Sequence, residues 1–196
     1  MADYQTQLDG ILQNTDINNK PSLLLHSCCG PCSSYCIEYL AKYFHITVYF
    51  YNPNIEPKEE YLKRLSTQKE LISKLGLCSL EEGEWENEVF TENIKGLENE
   101  KEGGARCERC ISLRIKKTAI KAKQGGYDYF CSTLTVSPHK NADMINSIGK
   151  ECEREYAVKW LVSDFKKKEG YKRSLELSKK YNLYRQNYCG CSYSIR

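Results

Sequence analysis

A short apolar run, Ser22-Leu-Leu-Leu-His26, leads almost directly into Cys28-Cys29-Gly30-Pro31-Cys32 and a helix-like stretch from Ser33 to Phe44, and a second β-branched and aromatic run follows at Ile46 to Tyr51. Strand, turn, helix and strand in this order read as a β-α-β unit, which commits the chain to parallel strands covered by helices. The pattern then repeats. A charged helix is expected from Lys58 to Leu75, opened by Asn52-Pro53-Asn54 and Pro57 and closed by Gly76. A short strand near Leu77 to Leu80 precedes an acidic, irregular segment, 81–106, and a helix from Cys107 to Gln124 ended by Gly125-Gly126. Strand Tyr127 to Cys131, loop Ser132 to Pro138, helix His139 to Tyr156, strand Val158 to Val162 and helix Tyr171 to Tyr181 complete the alternation. The expected architecture is α/β, a doubly wound parallel sheet with a small helical insertion at about 81–124 and a cysteine-bearing C-terminal tail. No repeat or low-complexity linker divides it, so residues 1–196 read as a single domain.

Composition narrows the class. The longest apolar runs fall far short of the roughly 20 residues that a membrane span needs, and Met1-Ala-Asp-Tyr-Gln lacks the basic, apolar pattern of an export signal. A cytosolic protein is expected, with no membrane partner. Its 11 cysteines are an odd number, and several stand in tight CC, CxxC and CxC groups, which in a reducing compartment point to metal or redox chemistry instead of a disulfide scaffold. Charge is uneven: residues 159–196 carry +7 and the remainder −4. A basic C-terminal part suits a polyanion such as RNA, and equally a solvated helix face.

Seven of the cysteines are grouped. Cys28, Cys29 and Cys32 occupy the turn after the first strand, where open α/β sheets place their ligands. Cys107 and Cys110 are one helical turn apart, and Cys189 and Cys191 flank Gly190 just past the last helix. A cubane 4Fe-4S cluster or a tetrahedral zinc site uses four thiolates, so seven leave three for a single metal ion with an open position. Successive side chains of an extended segment diverge, so Cys28 and Cys29 are expected to serve two different metals. Cys36, Cys78, Cys131 and Cys152 read as small buried hydrophobes. Two other readings stand beside this one. Cys29-Gly30-Pro31-Cys32 is also the active-site tetrapeptide of thioredoxins, which would make the chain a thiol-disulfide oxidoreductase, though that needs only one cysteine pair. A structural zinc module with an RNA-binding face is the non-enzymatic alternative.

His26-Ser-Cys-Cys-Gly-Pro-Cys32, Asn52-Pro-Asn-Ile55, Cys107-Glu-Arg-Cys110, Ser132-Thr-Leu-Thr-Val-Ser-Pro138 and Tyr184-Arg-Gln-Asn-Tyr-Cys-Gly-Cys191 stand in one order, and together they resemble the QueH family. The resemblance runs from about Pro21 to Ser194. It implies a sheet like that of adenine-nucleotide α-hydrolases, a 4Fe-4S cluster and an adjacent mononuclear iron. The implied activity is cobalamin-independent reduction of the epoxide of epoxyqueuosine to queuosine in tRNA, the last step in making this wobble base, with electrons from an external donor. In that family the position of Cys32 is held by Asp or Cys, so an all-sulfur second site is expected here. CCGPC replaces the phosphate loop of the parent nucleotide-binding fold, and use of ATP is not expected.

The cluster ligands favoured on this basis are Cys29, Cys107, Cys110 and Cys191, leaving Cys28, Cys32 and Cys189 for the single iron as the catalytic set; either adjacent pair could be exchanged within the same spacing. Arg185, inside the tail motif, is the strongest candidate for tRNA phosphate, with Lys166, Lys167, Lys168, Lys172 and Arg173 as companions. His139 and Lys140 follow Ser137-Pro138 at an expected helix start, where an anion or a plain capping turn would fit. His26 reads as a metal-side hydrogen-bonding group or a structural histidine.

Overall fold

Leu23, Leu24 and Leu25 are all fully buried, which requires a strand covered on both faces. The computed structural model describes residues 3–195, and in it this run is the central strand β1 (Ser22–His26). It is joined by β2 (His45–Phe50), β3 (Cys78–Glu82), β4 (Tyr129–Ser132) and β5 (Lys159–Trp160). All pairings are parallel, in the order β3-β2-β1-β4-β5. Leu25 stands level with Val48 on one side and Cys131 on the other. The order reverses between β1 and β4, so the crevice beyond their carboxyl ends is the place where such sheets bind ligands.

Alternation along β1 divides the core. Leu23 and Leu25 pack with Ile37 and Leu40 of α2 (Gly30–Leu40), Leu71 of α3 (Lys58–Leu75) and Leu177 of α7 (Gly170–Lys180). Leu24 faces the other way, against Ile111, Ile115 and Ala119 of α5 (Ala105–Gln124) and Ile145 and Ile148 of α6 (Ala142–Tyr156). Each strand thus serves two cores, and the doubly wound expectation is met. Helix α5 is itself the crossover between β3 and β4; within 81–124, the part standing off the sheet is the acidic segment with the short helix α4 (Asn87–Asn93).

Three boundaries and one added helix differ from the sequence pattern. Helix α2 starts inside the cysteine motif, because Pro31, lacking an N–H, suits a first turn whose amides have no helical partner anyway. Helix α6 starts at Ala142, where the Asn141 side chain caps Met144 N at 3.1 Å, so His139 and Lys140 lie in the preceding turn. The strand expected at Val158 to Val162 pairs only over Lys159–Trp160. An unanticipated helix, α1 (Tyr4–Gln13), is capped by Asp3 and packs Leu8 and Leu12 on the α2 side of the core.

The α6–β5 contact is tight. A Cβ at Gly149 would lie 2.2 Å from the Trp160 ring, and that ring is pinned because its Nε1 donates to Asn146 Oδ1 at 2.9 Å. Gly149→Ala is therefore expected to cost about 1–3 kcal/mol through overpacking, read as a lower urea midpoint at unchanged m-value.

Candidate metal centre

Cys29 is the residue at which loop becomes helix: its backbone is extended (φ −172°, ψ 156°), and Gly30, Pro31 and Cys32 form the first turn of α2. Cys32, three residues on in that first turn, returns beside Cys29. The three sulfurs of Cys28, Cys29 and Cys32 lie within 4.8 Å of one another, with Cys28 and Cys29 Sγ 3.9 Å apart. The divergence expected of adjacent cysteines does not occur, because that expectation holds for continuous extended chain and here the helix begins. Thiolates about 2.3 Å from one tetrahedral ion stand about 3.8 Å apart. The triad therefore fits a single metal ion with one position left over.

The second group forms where α5 meets the tail. Cys107 and Cys110 lie in the first turns of α5, and Cys189 and Cys191 come back from the far end of the sequence; all four line one narrow recess with Asn54 and Arg114. Arg64, on α3, holds the tail there: its Nη1 donates to the carbonyl of Cys189 at 3.0 Å and its Nη2 to that of Tyr188 at 3.3 Å, and its Nε is salt-bridged to Glu60 at 2.7 Å. From the loop before α3, Glu56 N donates to Gly190 O at 2.8 Å. Gly190 has φ +137°, and a Cβ on it would meet Ile55 at 3.0 Å, Asn54 Nδ2 at 3.1 Å and Arg64 Nη1 at 3.3 Å, so glycine alone lets the tail lie this close. Compared with the division favoured from sequence, Cys29 stands with Cys28 and Cys32, and Cys189 stands with Cys107, Cys110 and Cys191.

Buried cations surround these sulfurs. Arg114 is 2% exposed and donates from Nε to Cys110 O at 3.2 Å; burial works against its charge, and the thiols of Cys110, Cys189 and Cys28 outweigh that effect. Lys140 donates to Cys189 Sγ at 3.1 Å, and that sulfur likewise overcomes burial to keep the ammonium charged. Within the triad, hydrogen bonds from Cys29 and Cys32 hold Cys28 well below the usual thiol range, while the same contact pushes Cys29 up to about 12 and Cys32 is also raised. Burial raises Cys110 to about 11. One thiolate shared by two protonated neighbours is a site from which a metal cation displaces protons.

Both groups border a larger cavity of about 510 Å³, whose wall includes Cys28, Cys32, Cys189, Arg114, Lys140 and Arg185. His139 also lines it, in the turn before α6. Lys168 and Arg173 do not. Lys168 pairs with Asp9 at 2.7 Å, and Arg173 grips Glu38 through two bonds of 2.9 and 3.0 Å and Glu176 through one of 3.0 Å. Lys166 and Lys172 pair with Asp164 and Glu169. His26 is fully buried: Nε2 donates to Tyr51 O at 3.1 Å, so Nδ1 accepts from Ser132 Oγ at 2.9 Å, and burial lowers its pKa to about 4. It is a neutral structural group. Cys36, Cys131 and Cys152 are in the core, and the half-buried Cys78 packs against it.

Sequence reasoning missed Arg64, Arg114 and Asn54. Arg114 had a signal, being four residues after Cys110 and so on the same helix face. Asn54 stood inside the Asn52-Pro-Asn-Ile55 motif with no role assigned to it, and Arg64 had no signal, since its partners on the tail lie more than a hundred residues away.

Fold and site define a doubly wound α/β protein with thiol groups gathered at the switch point of its sheet. That fold is shared with the U34-tRNA thiolase NcsA from Methanococcus maripaludis, solved with its [4Fe-4S] cluster, at a TM-score of 0.56 and 13% identity over 98% of this chain and 69% of that one. The family profile described as epoxyqueuosine reductase QueH matches residues 23–196. Proteins of that name are 46% identical in Staphylococcus epidermidis (89% of this chain, 76% of that protein), 44% in Streptococcus pyogenes (90% and 71%) and 38% in Thermotoga maritima (89% and 90%). The chain belongs to the QueH family of epoxyqueuosine reductases, which are oxidoreductases. Among its described residues no helix is long and apolar enough to cross a membrane.

If Arg64 holds the tail in place, Arg64→Lys keeps the charge but loses the fork. The Glu56 amide, bonded to Gly190 O, is then expected to exchange with deuterium faster than in the unaltered protein.

Proposed function

We propose that this chain reduces the epoxide of epoxyqueuosine in tRNA to the alkene of queuosine, using a 4Fe-4S cluster held by Cys107, Cys110, Cys189 and Cys191 and a single iron held by Cys28, Cys29 and Cys32. The observation that carries this reading is that two separate thiol groups, a close triad and a recess lined by four cysteines, both border the cavity of about 510 Å³. Membership of the QueH family supplies the substrate. The donor sets fit the groups: thiolates suit iron-sulfur centres, and Arg114 and Lys140 supply the positive charge that a buried anionic centre needs. When bound, the iron centres would relay two electrons, one at a time, from an external reductant and offer a Lewis-acid position for the epoxide oxygen.

The reaction consumes two electrons and two protons and releases the epoxide oxygen as water. The protein's own contribution is placement and charge. The cavity is large enough for one unstacked base, which the wobble position of a single-stranded anticodon loop can present. Arg185 and Lys140 set positive charge in its wall for phosphate or the developing oxyanion. Lys168 and Arg173 would have to exchange carboxylates for tRNA phosphates, which makes them outlying contacts.

The decisive experiment is an anaerobic assay on epoxyqueuosine-containing tRNA with a chemical reductant and mass spectrometry of the nucleosides. The protein should hold about five irons and four sulfides and yield queuosine; a zinc-only preparation of equal activity would overturn the reading and favour the zinc module. A reversible disulfide without metal would favour the thiol enzyme. Cys29→Ser should lose about one iron and keep the sulfide, whereas Cys189→Ser should lose the cluster. The opposite result would restore the division favoured from sequence. Cys32→Asp should retain part of the activity and Cys32→Ala little, both with most of the cluster absorption.

Salt dependence tests the tRNA contacts. Arg185→Ala should lower the slope of log K against log salt by about one unit. Lys168→Ala and Arg173→Ala are expected to change it less, because both side chains already hold carboxylates.

A further inference from the structure

Asn54 is 1% exposed, and neither its Nδ2 nor its Oδ1 has a hydrogen-bond partner among the described residues. Its two companions in the same loop are used differently: Asn52 Nδ2 donates to Ser27 O at 2.8 Å, and the Pro53 carbonyl accepts from Asn87 Nδ2 at 2.9 Å. The loop is therefore fixed on either side of Asn54, while Asn54 itself lines the recess formed by Cys107, Cys110, Cys189 and Cys191. Leaving a buried amide unpaired carries the full cost of stripping water from it. Helix or sheet does not require this residue to be polar, and Gly190, whose missing Cβ would lie 3.1 Å from Asn54 Nδ2, keeps the tail backbone close against it. A side chain maintained polar, buried and unpaired at the wall of a thiol-lined recess points to a partner that enters the recess.

We propose that the Asn54 side-chain amide donates a hydrogen bond to a sulfur of the iron-sulfur group held in this recess, and so raises its reduction potential. The inference rests on the proposed function, since it takes the four thiols to hold a cluster. Neutral thiols are weak acceptors, whereas the thiolate and sulfide sulfurs of a cluster carry negative charge and accept N–H donors well. A hydrogen bond to sulfur is stronger when the cluster holds one more electron, so it favours the reduced state. Outer hydrogen bonds of this kind are a general means of tuning metal centres. Asn54 is thus a positioning and tuning residue, not a ligand. Arg114 and Lys140 contribute charge to the same end, but they also face the larger cavity, whereas Asn54 lines the recess alone.

The test is a redox titration, followed by electron paramagnetic resonance, of anaerobically reconstituted protein with either Asn54→Leu, which keeps the shape and removes the donor, or Asn54→Ser, which keeps a shorter donor. With iron and sulfide contents equal to the unaltered protein, the midpoint should shift to more negative potential in Asn54→Leu, with Asn54→Ser between. Equal midpoints in all three proteins would overturn the proposal. Loss of the cluster from both variants would overturn it as well, because Asn54 would then be holding the site together. Failure of the unaltered protein to bind sulfide would be a different result: it would remove the proposed cluster itself, and it would be seen before any variant is made.

Discussion

Arg64 lies almost wholly inside the protein, and all three of its donor nitrogens have partners: Glu60 one turn back on α3 and the carbonyls of Tyr188 and Cys189 on the tail. A guanidinium can be buried only if its charge and its hydrogen bonds are answered. Here the answer comes from opposite ends of the chain, so the fold cannot bury Arg64 without also bringing the tail across the crevice beyond β1 and β4. Cys189 and Cys191 reach Cys107 and Cys110 as a consequence. Gly190 permits the approach, and the loop 52–57 closes it from the side. The thiol-lined recess is thus held by polar contacts around one cation, beside the apolar packing of Cys191 against Phe90, Ile94 and Cys110.

The electrostatics of the site follow from the same economy of carboxylates. Around the sulfurs the structure places Arg114 and Lys140, whose counter-charges are thiols. Farther away, on the α2–α7 flank, Lys168 pairs with Asp9, Lys172 with Glu169, and Arg173 with both Glu38 and Glu176. Within the basic C-terminal sequence, cations paired at the surface contribute little to any long-range field, whereas Arg185 faces the cavity. Net charge along the sequence could not separate them, because Asp9 and Glu38, which pair with Lys168 and Arg173, stand far outside that stretch on α1 and α2.

The fold was largely legible because its signals are local. Three consecutive leucines bounded by turn residues mark a strand buried on both faces, and Pro57 and Gly76 bracket α3 as their backbone preferences require. Helix α1 escaped notice because its apolar stripe, Leu8, Ile11 and Leu12, is thin and set among polar residues; the Asp3–Thr6 cap was the available clue. At the site, the grouping of cysteines could be read, but their partition could not. Whether Cys28 and Cys29 point together or apart depends on where α2 begins, and a shift of three residues in that boundary reverses the answer. Arg64 was out of reach for a different cause, since it acquires its role from tail residues more than a hundred positions away.

The distance in sequence between the two halves of the recess has a thermodynamic consequence. From Cys110 to Cys189 the chain runs about 80 residues through α5, β4, α6, β5 and α7, so a centre bonded to both ends closes a loop of that length. Closing long loops removes much of the freedom of the unfolded chain, and binding energy at such a site becomes folding energy. The recess is in this sense a clasp. Were the proposed centre lost to oxygen, the hold of α5 on the tail would loosen first, turning a chemical lesion at a few sulfurs into release of the C-terminal segment.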